Sequence, residues 1–236
     1  MKNSSPKRIL LSTRRPASSI PYASFLCYSV RGSSKLSAIS RGVKDAVKFG
    51  KSVGTPPVPV YQHAARRLRE ALDGGSCPEG FSEWFTPATV LVPMPRSSPL
   101  HDPAALWPPR EICIALHAAG FGSSVETALA RTFAVPKSHL RWQTKDPPVT
   151  VEKHRESMEV SRGMLPLETI TIVDDFITSG ATAFGAFLRL SETFPDVPIR
   201  VFALVRSLSD DEADEIISPV IGSIKRRKNG LATRRP

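Results

Sequence analysis

The chain has 236 residues, 41% of them apolar, and a formal charge of +10. That length suits one α/β domain with appendages or at most two small domains, and no run approaches the roughly 20 apolar residues of a membrane span. Cys27, Cys77 and Cys113 form no CxxC pair and no zinc-spaced Cys/His cluster. A reducing, cytoplasmic setting is therefore expected, with neither a disulfide framework nor a cysteine zinc module.

In chain order, residues 1–20 hold five basic residues and no acid, and they lack the apolar core of a secretory signal. They are expected to be a basic disordered tail. Residues 21–80 are expected as an N-terminal strand and helical element. Tyr22 to Val30 is strand-like. Ile39, Val43, Ala46 and Val47 recur at helical spacing up to Phe49-Gly50, and a second helix is predicted from Gln62 to Leu72. Residues 81–210 form the expected core. Ala88 to Pro93 is a predicted strand, and Pro108-Pro109 opens a helix that runs from Arg110 to Ala119. Ser124 to Phe133 is a further predicted strand, followed by a long polar stretch to Pro166. Thr169 to Asp174 and Ile199 to Val205 read as buried strands, with a helix ending near Phe194 between them. Residues 211–236 are expected as an acidic helix and a basic tail. Setting aside the eleven basic residues of the two ends leaves 21 basic against 22 acidic residues, so the body is near neutral. Solvated ends are expected; weak, salt-sensitive contact with RNA or DNA is the functional alternative. Strands alternating with helices predict a Rossmann-like parallel sheet, whose ligands bind at the carboxyl ends of strands.

The most informative stretch is Ile170 to Thr182. Four apolar or β-branched residues lead into Asp174-Asp175, then into Thr178-Ser179-Gly180-Ala181-Thr182 and an apolar helical pattern. Free N–H groups at a helix start bind phosphate, and hydroxyls add donors to them. A carboxylate pair accepts hydrogen bonds from sugar hydroxyls. The segment reads as a site for a ribose 5-phosphate.

Val173 to Thr182 also resembles the signature of type I phosphoribosyltransferases, which bind phosphoribosyl pyrophosphate (PRPP). Within that superfamily the chain is most similar to the ComF-like, amidophosphoribosyltransferase-like group, though without its N-terminal zinc module. The resemblance implies a type I phosphoribosyltransferase sheet with a small N-terminal hood. It puts the ribose hydroxyls on Asp174 and Asp175, as catalytic residues, and the 5-phosphate on Thr178, Ser179, Gly180, Ala181 and Thr182. Pro95, Arg96 and Ser97, in the run Pro93 to Ser98, resemble the family's pyrophosphate loop; one Arg and two Ser can offer charge and donors to a diphosphate. A basic flap is implied between the two strands, with Lys137, His154 and Arg155 as its candidate contacts. Mg²⁺ is implied as carried by PRPP, with no direct protein ligand. Thr178 stands where 6-oxopurine enzymes have an Asp, which disfavours that substrate class. No cysteine opens the chain, so a complete glutamine-dependent amidotransferase is not expected.

The function implied is a Mg²⁺-dependent phosphoribosyltransferase (a pentosyl glycosyltransferase of nucleotide metabolism) with PRPP and an unidentified nitrogen acceptor as its partners. A homodimer is compatible with this. The rival is a non-catalytic PRPP- or nucleotide-binding module, or one related to DNA uptake, on the same fold.

Overall fold

The computed structural model describes residues 17–97, 99, 102, 104–136, 147–161, 168–208 and 211–236. The first strand, β1 (Ser19–Ser29), leads into α1 (Lys35–Phe49). Ser34 caps this helix by accepting from the Ser37 N–H, and Gly50 ends it in the left-handed region. A small hairpin of β2 (Ser52–Val53) and β3 (Val58–Pro59) passes to α2 (Val60–Asp73). A 3-10 turn, Phe81–Phe85, precedes β4 (Thr89–Pro93). Then come α3 (Pro108–Ala118), opened by its two prolines, β5 (Ser124–Val125) and β6 (Leu129–Arg131). Beyond them lie α4 (Val151–Glu156), β7 (Met158–Val160), β8 (Thr169–Ile177) and α5 (Ala181–Thr193). The chain closes with β9 (Ile199–Leu208), β10 (Ile217–Arg226) and β11 (Ala232–Arg235).

Seven strands make one sheet in the order β11-β10-β1-β9-β8-β4-β5. The run β1-β9-β8-β4-β5 is parallel, and β10 and β11 add to it antiparallel. The protein is thus α/β, with a mostly parallel central sheet flanked by helices and compatible with a Rossmann-like arrangement. Alternation along the strands supplies two cores. Ala23, Phe25, Leu91, Val173 and Phe202 pack under α1, α2, α3 and the 3-10 turn. Ile20, Tyr22, Val92, Ile172 and Val201 pack under α4 and α5. Trp84 donates to the Val201 carbonyl at 2.8 Å, and Thr171 donates to the Trp84 carbonyl, which pins the 3-10 turn to the sheet. Among the described residues no helix is long and apolar enough to cross a membrane.

Three expectations are corrected. Residues 211–236 form no acidic helix and basic tail: Ile217, Val220, Ile221 and Ile224 belong to β10, and Asn229-Gly230 turns the chain into β11. The Arg227 N–H bonds the Leu231 carbonyl at 2.7 Å across that turn. Ser124 to Phe133 is not one strand. β5 extends the main sheet beside β4, whereas β6 leaves it and pairs with β7. The polar stretch before β8 holds both α4 and β7. Residues 1–16 of the N-terminal tail lie outside the described residues.

Candidate functional site

β4 pairs with β8 only as far as Pro93↔Val173, while β8 continues beside β9 to Ile177↔Arg206. Asp174 and Asp175 are therefore the first residues of β8 beyond the end of β4. Each carboxylate accepts from the next backbone N–H, Asp174 from Asp175 at 3.0 Å and Asp175 from Phe176 at 2.9 Å. Successive strand positions lean to opposite sides of a sheet, and the surroundings of the two acids differ accordingly. Asp174 feels the Arg131 guanidinium, while Asp175 feels Lys48 at the end of α1 and lies near Tyr61 of α2. Burial, and then the charge of Asp175, push the Asp174 carboxyl well above the usual carboxylate range. Asp175 is also raised by burial, with Lys48 working against the rise. A buried acid beside a half-buried one, both resisting a second negative charge, is a feature that a cation or hydroxyl donors would relieve.

The 178–182 segment turns directly from β8 into α5. Thr178 and Ser179 are exposed, and Gly180 is buried with φ 85°, a conformation that disfavours any side chain. The first N–H groups of α5 follow, with the Phe184 N–H already bonded to the Gly180 carbonyl at 2.9 Å. The loop after β4 runs alongside. The Met94 N–H bonds the Val173 carbonyl at 2.8 Å, and the Trp107 indole donates to the Met94 carbonyl at 2.8 Å. Pro95 is buried, and Arg96 and Ser97 are half-buried. The Arg96 guanidinium donates to the Leu106 carbonyl. Ser98 lies outside the described residues. The 93–97 loop and the acid pair thus leave adjacent carboxyl ends of the sheet, where ligands of such sheets bind.

The flap candidates fare differently. Lys137 lies outside the described residues. His154 is buried at 8% exposure, and burial, reinforced by the Arg131 charge, lowers its pKa to about 4. It is a neutral ring at pH 7, its Nε2 3.4 Å from the Thr182 hydroxyl, so it packs against the start of α5 rather than offering a cation. Arg155 pairs with Glu192 at 2.7 Å, in the last turn of α5. Eleven residues of helix put the Glu192 backbone about 16 Å along the axis from Ala181, so this ion pair ties Arg155 to the far end of α5. α4 reaches α5 because residue 185 is glycine: a Cβ there would stand 2.6 Å from the His154 Cβ.

Arg131 is the residue that the sequence reading left without a role. It is buried at 7% exposure, at the end of β6. Its Nε donates to the Arg96 carbonyl at 3.1 Å, and its Nη1 to the Ser157 hydroxyl and the His154 carbonyl. One guanidinium therefore joins the 93–97 loop to α4 and faces Asp174. An arginine ending the apolar run Ala128-Leu129-Ala130 was the available signal, because a charged side chain in a buried strand needs partners. Among the described residues no three His, Cys, Asp or Glu gather as a metal-binding group. No protein-family model matches the chain, and no curated protein matches it.

Proposed function

We propose that the chain binds PRPP with Mg²⁺ and transfers its 5-phosphoribosyl group to a nitrogen nucleophile, in the manner of type I phosphoribosyltransferases. The observation that carries the reading is the order of parts at one carboxyl end: acid pair, hydroxylated turn with a buried glycine, helix start, and a second loop bonded alongside. Asp174 and Asp175 would accept from the ribose hydroxyls, and residues 178–182 would hold the 5-phosphate with N–H and hydroxyl donors. Pro95, Arg96 and Ser97 would face the pyrophosphate. Mg²⁺ would be carried by the oxygens of PRPP, with the acid pair as its nearest protein charge, and would neutralise the departing diphosphate.

In the reaction the bond from the anomeric carbon to the pyrophosphate oxygen breaks, and its electron pair leaves with pyrophosphate. The nitrogen lone pair forms the new bond and the nitrogen then loses a proton. The positive charge developing on the ribose would be steadied by the acid pair, so catalysis is a matter of position and charge. The test is pyrophosphate release from PRPP with a panel of nucleobases and amines. Release that depends on both the acceptor and the acid pair supports the transferase; binding of PRPP without release under any acceptor favours a non-catalytic sensor.

A further inference from the structure

The hairpin of β10 and β11 has no part in the reading above, yet it reaches the 178–182 loop. Arg234, on β11, donates from Nε to the Thr178 carbonyl at 3.1 Å and from Nη2 to the Ser207 carbonyl at 2.6 Å. Its Nη1 lies 3.4 Å from the Tyr22 hydroxyl, and its guanidinium sits 5.7 Å from the centre of the Tyr22 ring. Ile224, fully buried on β10, occupies the space beside Gly180, where an added Cβ would stand 2.7 Å from its Cγ2. The start of the loop and its glycine are therefore both held by the same hairpin. A second guanidinium, Arg206, lies opposite Ile177 and bonds the Ser218 carbonyl and hydroxyl.

The Thr178 carbonyl and the Ser179 N–H belong to one planar peptide and point in opposite directions. Anchoring the carbonyl on the hairpin therefore turns the Ser179 N–H to the other side, away from β11. The oxygens that take the donors of Arg234 are neutral, so its positive charge stays beside the loop rather than being cancelled there.

We infer that Arg234 is a positioning residue for the phosphate loop, fixing the Thr178–Ser179 peptide so that its N–H serves a ribose 5-phosphate. The inference rests on the PRPP reading. It separates the two halves of that ligand: ribose 5-phosphate probes the 178–182 loop, and inorganic pyrophosphate probes the 93–97 loop.

The experiment titrates each probe, with Mg²⁺, into the full chain as wild type, Arg234→Gln and Arg234→Lys, with thermal unfolding as the folding control. Arg234→Gln should weaken ribose 5-phosphate about tenfold, the effect of losing one hydrogen bond from a charged donor. Pyrophosphate should stay within about twofold, as expected for a separate contact. Arg234→Lys should fall between, since an ammonium lacks the fork that spans two carbonyls. Equal losses of both probes, no loss of either, or wild-type affinity in Arg234→Lys would overturn the inference. Amide hydrogen exchange over residues 178–183 separates this from the reading on which it rests. If wild type binds neither probe, the PRPP reading fails and the role in holding phosphate fails with it. Faster exchange confined to those amides in Arg234→Gln would then show only that the tether holds the loop.

Discussion

The two ends of the parallel sheet are built to opposite plans. At the amino end, Arg69, Cys77, Phe85, Gly120 and Phe121 are among the residues lining an open pocket of about 490 Å³. Its arginine is already engaged: Arg69 lies 4.0 Å from the centre of the Phe121 ring and bonds the Ala119 and Gly120 carbonyls. At the carboxyl end, a buried acid and its half-buried neighbour resist ionisation, a buried arginine bridges the 93–97 loop and α4, and a histidine is held neutral. An open pocket lies at one end and perturbed chemistry at the other. Unfavourable burial of charge is tolerated where a ligand can repay it, so the chemical end is the better candidate.

The comparison breaks first at Arg131. Arg131→Gln removes a buried cation and leaves the acceptors of its bridge short of donors, a loss of about 3–5 kcal/mol in urea unfolding. An equivalent cost from Arg69→Gln would erase the contrast between the ends. His154 gives the next effect. Its folded pKa, about 4, lies below the ordinary 6.5, so its contribution is present above pH 6.5 and is lost as pH falls from there towards 4. The full difference is about 3 kcal/mol, and His154→Gln should flatten that part of the stability profile.

Asp174 gives an effect of opposite sign. A carboxyl raised in the folded state favours folding at low pH and opposes it as pH rises through the folded value. Asp174→Asn should therefore raise the melting temperature at pH 7.5 while weakening PRPP. A lower melting temperature would show that the buried charge is a structural asset. Least of all, Cys77→Ser in the amino-end pocket should leave PRPP affinity within about twofold.

Much of this carboxyl end was legible in the chain. Ile170–Val173 ahead of two acids and a Thr-Ser-Gly turn fixes strand, loop and helix start within one local segment, which is where sequence patterns carry most information. The Pro108-Pro109 start of α3 and the Gly50 end of α1 were legible for the same local reason. The C-terminal hairpin was legible too but was masked by charge. Lys225 to Lys228 read as a solvated run, although Asn229-Gly230 between β-branched segments is a strong hairpin signal. Arg226 instead pairs with Glu152 on α4. Other features depend on contacts that no local pattern encodes. Glu212 accepts from Ser33, Ser34 and Ser37 at the start of α1, and Arg131 meets a carbonyl 35 residues away. His154 reads as a basic flap residue until its burial between Arg131 and the start of α5 at Thr182 is known.

The central claim is that the acid pair and the 178–182 turn bind a ribose phosphate. Calorimetric titration of PRPP with Mg²⁺ into wild type and into Asp174→Asn, Asp175→Asn tests it most directly. The account predicts saturable binding to wild type that the double substitution abolishes without unfolding the protein. Silence of the wild type across millimolar PRPP, or equal binding by both proteins, would contradict it.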